Sequence, residues 1–222
     1  MKRNFCVFFY LVVFTFTLLS GANAVCTPQS AVIWVNGDDN SSVWINGYYI
    51  GGVNYVNWDS SSDPTFLNVP IAYLNASGDN VIAVAVTDTA GGQIWGTYAL
   101  DVTCVGGLHA YVSSNDGDIK ISATNVYNTP PAADWYSFAY NDTSWTNAVQ
   151  VTDQTWAKPL YDPSDGKIVR PYSYNNTAFA GANQWDPSGM KMLYMRKHFT
   201  LNPVTPLPSP TIGITKVANM TS

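Results

Sequence analysis

The alternation of apolar and polar positions is clearest around residue 45. Val43 and Ile45 alternate with Trp44 and Asn46, the period-2 pattern of a strand with one buried face. Asn46-Gly47 follows as a two-residue turn that wants a positive φ at both positions. Tyr48, Tyr49 and Ile50 start a return strand, which Gly51-Gly52 is expected to close, so the stretch predicts a β-hairpin. The same texture runs along the chain. Residues 31–36 predict a strand, with 37–40 as its turn. Residues 51–65 predict a loop rich in Gly, Asn, Ser and Asp, with Tyr55 and Trp58 embedded in it. A short strand is expected at 65–69, a turn cluster at 75–79, the clearest buried strand at 80–87, and an alternating strand at 94–102 that leads to Cys104.

The second half carries weaker signals. Strands are expected at 110–113 and 119–123, around the turn Asn115-Asp116-Gly117-Asp118. Residues 124–134 predict a loop, and residues 134–151 an irregular segment with a strand near its end. Residues 157–189, with Pro159, Pro163, Pro171 and Pro187, predict long loops, and residues 192–201 a strong strand. No segment sustains a helical period, so the fold class is all-β.

The two ends differ from this body. Lys2 and Arg3 precede an apolar run of about 15 residues, and Ala22-Asn23-Ala24 offers a cleavage site, so residues 1–24 predict a secretory signal peptide. The run is short of the roughly 20 residues that a spanning helix needs, and no membrane span is expected after cleavage. Pro203, Pro206, Pro208 and Pro210 make residues 203–222 a stiff extended linker with a short tail, leaving 25–202 as the folded body.

Composition narrows the class. Hydrophobic residues are 46% of the 222 and charged residues 11%, against roughly 25% in ordinary soluble domains, so Asn, Ser, Thr, Gly and Tyr must supply most of the polar surface. This suits an extracellular β-protein. The net charge of −5 and the scattered Lys and Arg exclude a basic face, hence nucleic acid and anionic membrane surfaces as partners. Cys6 leaves with the signal, and the remaining pair, Cys26 and Cys104, is expected to form one disulfide.

Three stretches resemble the galactose-binding-like jelly roll found as accessory domains of large glycoside hydrolases, such as the rhamnosidases, and in bacterial surface proteins. They are Asp39-Asn40 leading to Asn46-Gly47, Leu74…Gly78-Asp79-Asn80-Val81-Ile82-Ala83-Val84, and Asn141-Asp142-Thr143-Ser144-Trp145. The resemblance implies a jelly-roll β-sandwich and often a structural Ca²⁺. One departure stands out: in that family the Trp-ending corner and a strand ending Arg-Lys-x-Phe-x-Leu usually precede the hairpin. Here Asn141–Trp145 and Arg196-Lys197-His198-Phe199-Thr200-Leu201 follow it. Either they complete the same sandwich in permuted order, which would fill an open sheet edge, or they begin a second one. The tail Ile214-Thr215-Lys216-Val217 resembles the first strand of Ig-like repeats on prokaryotic surface proteins.

Aromatic residues lead the candidate site. Tyr48, Tyr49, Tyr55 and Trp58 offer flat rings of the kind that stack on sugar faces, and Tyr adds a hydroxyl. Loop-borne Tyr55 and Trp58 are preferred, while Trp44 and Trp95 are expected to pack in the core. All 15 acidic residues are Asp and those near the hairpin lie in turns, so a glycosidase pair of carboxylates is not expected. Ser164…Lys167 fits S-x-x-K in a turn without the companion motifs, and His109 and His198 lack a recognisable nucleophile. Asp38, Asp39, Asp116 and Asp118 are the candidate Ca²⁺ ligands; no other cofactor is expected.

The expectation is a secreted, non-catalytic module of a cell-surface or envelope protein, with a glycan or another surface component as partner. An accessory domain of a glycoside hydrolase and a self-associating structural protein are the alternatives.

Overall fold

The structure is a computed structural model that describes residues 25–54, 66–89, 94–151, 160–161, 168–169, 172–173 and 191–202. The predicted signal peptide and linker, Tyr55, Trp58 and Ser164…Lys167 lie outside the described residues. The strands are β1 (Pro28–Gly37), β2 (Asn40–Ile45), β3 (Tyr48–Asn54), β4 (Phe66–Asn68), β5 (Asp79–Thr87), β6 (Gly96–Cys104), β7 (His109–Ser113), β8 (Lys120–Thr124), β9 (Thr146–Asn147), β10 (Val149–Gln150), β11 (Leu160–Tyr161), β12 (Ile168–Val169), β13 (Tyr172–Ser173) and β14 (Met192–Thr200). One sheet runs β10-β13-β6-β1-β4, with β7 also on β6; the other runs β3-β2-β5-β14-β8-β9. Both are antiparallel throughout. The chain is an all-β sandwich that crosses repeatedly between the two sheets, with β2–β3, β6–β7 and β8–β9 as neighbours within one sheet.

The alternation read from sequence is the alternation of the core. Ile33 and Val35 of β1, Val43 and Ile45 of β2, and Tyr98, Leu100 and Val102 of β6 share one buried cluster with Ile82, Val84 and Val86 of β5. Burying side chains of this size contributes roughly 1.5–3 kcal/mol each. The late strand β14 lies between β5 and β8, with Met195 opposite Val84 and opposite Ile121. It therefore completes this sandwich rather than starting another. Leu193, Met195 and Phe199 join the core between the sheets, while Met192 and Tyr194 lie in the cluster on the opposite face.

Strand β5 is buried on both faces. Val81, Ala83 and Ala85 point away from the main core and lie beneath Trp135 and Trp145. The segment around these tryptophans, expected to be irregular, has turns rather than strands before β9, and it covers the outer face of the second sheet. The small side chains of Ala83 and Ala85 leave room for its rings.

Three sequence expectations need correction. The hairpin does not close at Gly51-Gly52: β3 continues to Asn54, because Ser42 and Ser41 of β2 pair with Gly52 and Val53. The stretch 157–189 is not all loop, since β11 and β12 form a two-stranded ribbon and β13 bridges β10 and β6. Two-residue strands are too short to leave a period. The turn expected at 115–118 is present but begins one residue earlier, as a 3₁₀ turn at Ser114–Asp116 closed by a capping box between Ser113 and Asp116.

Cys26 and Cys104 form a disulfide with their Cα atoms 5.1 Å apart, tying the start of β1 to the end of its antiparallel neighbour β6.

Candidate functional site

Asn46 and Gly47 turn the β2–β3 hairpin with φ of 50° and 91°. Asn46 also anchors it. Its Nδ2 donates to Tyr73 O and to Asn80 Oδ1, each at 2.7 Å, while its Oδ1 accepts from Val81 N at 2.7 Å. Asn80 is fully buried, and its Nδ2 donates to Asn75 O at 2.9 Å and Gly78 O at 3.2 Å. Its Oδ1 also accepts from Asn75 N at 2.7 Å. Buried amides are costly unless they are satisfied, and here the two amides satisfy each other and the backbone around them. The pair fixes the hairpin tip against residues 73–81.

One consequence is a rigid aromatic pair. Tyr73 is held under the tip, and Tyr48 stacks on it with ring centroids 4.1 Å apart and planes 9° from parallel. Tyr48 is 52% exposed and Tyr49 57% exposed, so both candidates face solvent. They do not form one stack with each other. Tyr49 leans on Trp44 at 5.4 Å with an interplanar angle of 55°. Trp44, expected in the core, instead lies half-buried on the outer face of the second sheet, stacked under Tyr136 at 5.4 Å and edge-on to Trp135 at 5.3 Å. Trp95 is fully buried.

Arg196 holds this layer in place. The residue is fully buried, and its Nε donates to Asp142 Oδ2 at 2.9 Å. One terminal nitrogen donates to Trp135 O and to Ser137 O, the latter at 3.0 Å; the other donates to Tyr140 O at 3.3 Å. The guanidinium also lies over the Tyr140 ring, 5.2 Å from its centroid. A buried guanidinium needs this degree of satisfaction. The arrangement fastens three successive turns of backbone to β14 and so places Tyr136 over Trp44. Tyr194, edge-on to Trp135 at 4.9 Å, has its hydroxyl pKa raised by burial. His198 Nε2 stands 3.7 Å from Asp142 Oδ2.

The carboxylates serve turns. Asp38 and Asp39 form the corner where β1 passes from one sheet to β2 of the other. Their backbone amides donate to Trp95 O and Thr87 O. Asp39 Oδ2 accepts from the Thr89 backbone at 2.7 Å and from its hydroxyl. Asp38 is nearly buried, and desolvation, followed by the hydrogen bond with Asp39 and then the charges of Asp39 and Asp88, pushes its pKa up to about 8. Asp116 Oδ2 accepts from Ser113 N at 2.7 Å, and Asp118 adopts a φ of 53°. Among the described residues no three or more His, Cys, Asp or Glu side chains are grouped to hold a metal ion. His109 Nδ1 and Asp101 Oδ1 pair at 2.8 Å on neighbouring strands β7 and β6.

Tyr73, Trp135 and Tyr136 were not among the sequence candidates. The run Trp135, Tyr136, Phe138, Tyr140, Trp145 is a dense aromatic signal, but it has neither strand nor helix period, so nothing in it says which face it covers.

Residues 12–92 match a family model described as the beta-galactosidase second all-beta domain. This agrees with the resemblance to accessory domains of glycoside hydrolases. Among solved structures, an alpha-L-rhamnosidase of Streptomyces avermitilis, crystallised with L-rhamnose, aligns at 12% identity with a TM-score of 0.43. The alignment covers 79% of this chain and 20% of that one, so the chain spans about a fifth of the length of the rhamnosidase chain. No curated protein matches. Among the described residues no helix is long and apolar enough to cross a membrane.

Proposed function

We propose that the chain is a secreted, non-catalytic β-sandwich module that binds carbohydrate for a larger glycan-acting or cell-surface protein. The stack of Tyr48 on Tyr73 carries this reading. An exposed ring offers its face to the C–H face of a sugar, and a ring already fixed from behind loses little freedom when the sugar arrives. Tyr55 and Trp58 follow β3 directly in sequence and belong to the same proposal. The match of residues 12–92 to an all-β domain of beta-galactosidase supports the accessory-module form of the reading over a free-standing adhesin.

Retention on insoluble polysaccharides tests it. The protein should be retained on at least one of a panel of plant and microbial polysaccharides. Tyr48→Ala or Trp58→Ala should weaken retention by about tenfold, the scale of one lost aromatic contact. No retention on any polysaccharide, together with no effect of either substitution, would remove the carbohydrate clause.

A further inference from the structure

Tyr49 and Gly52 are three residues apart on β3, a spacing that puts two residues on opposite faces of a regular strand. In this strand they share a face. Val43 pairs with Gly51 and Trp44 with Tyr49, so Ile50 is an extra residue, a bulge that shifts the alternation by one. The Tyr49 side chain then runs back along the strand, and its hydroxyl lies over Gly52. A Cβ at position 52 would stand 3.2 Å from that hydroxyl, a few tenths of an ångström tighter than ordinary contact, and 3.4 Å from Ser41 O. Glycine at position 52 leaves the Tyr49 hydroxyl its place along the edge strand; a Cβ would shift it by a few tenths of an ångström and a branched side chain by more.

The surroundings set the ligand's chemistry. The hairpin from Asn40 to Asn54 holds no Asp, Glu, Lys, Arg or His. Trp44 buttresses one side of the exposed Tyr49 ring and is itself fixed by Tyr136. Ser42 Oγ lies 3.7 Å from the Cβ position of Gly52, the position that the Tyr49 hydroxyl also approaches. An uncharged strip with one exposed ring and neighbouring hydroxyls complements a chain of neutral sugars and offers no cation to a uronate or sulfate group.

Building on the carbohydrate-binding reading, the geometry points to Tyr49, laid flat by Gly52, as a platform for a neutral polysaccharide running along β3. Gly52 is a positioning residue: it acts through Tyr49 and need not touch the sugar.

The test is affinity gel electrophoresis with a neutral β-glucan, a neutral galactan and polygalacturonate, on the protein and on Gly52→Val, Tyr49→Ala and Tyr49→Phe. The protein should be retarded by a neutral polymer and not by polygalacturonate. Gly52→Val, which changes no aromatic residue, and Tyr49→Ala should each weaken retardation by about tenfold, while Tyr49→Phe keeps most of it. Should Gly52→Val fail to fold, Tyr49→Ala carries the test, because its side chain is exposed. Retardation by a neutral polymer that neither Gly52→Val nor Tyr49→Ala alters, or retardation by polygalacturonate alone, overturns this inference and leaves carbohydrate binding standing. Absence of retardation by every polymer overturns both.

Discussion

Asn46 Nδ2 donates to Asn80 Oδ1 at 2.7 Å across 34 residues of chain; Asn46 also bonds the backbone at Tyr73 O and Val81 N, and Asn80 the backbone at Asn75 and Gly78. A turn residue of the second sheet is thereby locked to the start of β5, an inner strand of the same sheet. Removing one amide leaves the other buried with unmet donors and acceptors, which costs more than a hydrogen bond contributes. Asn80→Ala should lower stability by about 2–4 kcal/mol, and Asn46→Ala by a similar amount. The double variant should lose clearly less than the sum. Urea unfolding of the four proteins measures this, and strictly additive losses would mean that the two amides act independently.

Arg196 supports a second prediction. It is the buried cation at the centre of the aromatic layer, and Asp142 is its carboxylate. Breaking one half of a buried pair typically costs about 3–5 kcal/mol, because the other charge stays behind without compensation. Arg196→Ala should therefore lose about that much and should also release the turns that carry Trp135 and Tyr136. The near-ultraviolet circular dichroism of the Trp44–Trp135–Tyr136 group would fall while the far-ultraviolet β signal stays. Asp142→Asn, which keeps an acceptor for the guanidinium, should cost less. An unchanged near-ultraviolet spectrum in Arg196→Ala would show that the aromatic layer holds itself in place.

The scaffold was legible because its signals are local. Period-2 alternation marks β2 and β6, apolar runs mark β1, β5 and β14, and Asn46-Gly47 names its own turn type. Two Cys in the folded body leave one pairing to expect, and the structure makes it. The surface was legible only in part. Tyr48 and Tyr49 announce themselves as turn-flanking aromatics, but what fixes them is remote. Tyr73 supports one, and Trp44 under Tyr136 supports the other, through contacts that no local period records. The role of Gly52 depends on the bulge at Ile50. A bulge is set by the pairing of two strands and cannot be read from one. The extent of β3 was missed for a related reason: Gly51-Gly52 has poor strand propensity, and tertiary pairing overrides it.

The disulfide gives a third prediction. It spans a sequence separation of 78, and in the chain-entropy model a loop of that size contributes roughly 4 kcal/mol by restricting the unfolded chain. Cys26→Ser with Cys104→Ser should lower stability by up to about 4 kcal/mol without changing the β content. Reduction of the native protein should do the same, and the variant should be insensitive to reductant. Equal unfolding midpoints with and without reductant would argue against the bond.

Asp38 supplies the pH dependence. Its pKa is pushed from 3.8 to about 8 in the folded chain by burial first, then by Asp39 and Asp88. Between these values the folded state holds a proton that the unfolded state has released. The slope of unfolding free energy with pH follows the protons bound by the unfolded state minus those bound by the folded one, so here it is negative. The group is therefore neutral in its effect below about pH 4 and destabilises progressively as pH rises toward about 8, by at most about 1.4 kcal/mol per unit. Beyond that both states are ionised and the slope from this group vanishes. Asp38→Asn removes the titration and keeps an N–H that can donate to Asp39. Its stability relative to the native chain should rise between pH 5 and 8, by an amount on the order of a few kcal/mol. Thermal melts of both proteins across that range give the difference directly, with the remaining groups cancelling. A difference that is flat with pH would mean that Asp38 titrates normally at this corner. The corner would then have to accommodate an ionised Asp38 beside Asp39 and Asp88, and the two backbone bonds from Asp38 to Trp95 O and from Asp39 to Thr87 O would be what keeps it closed.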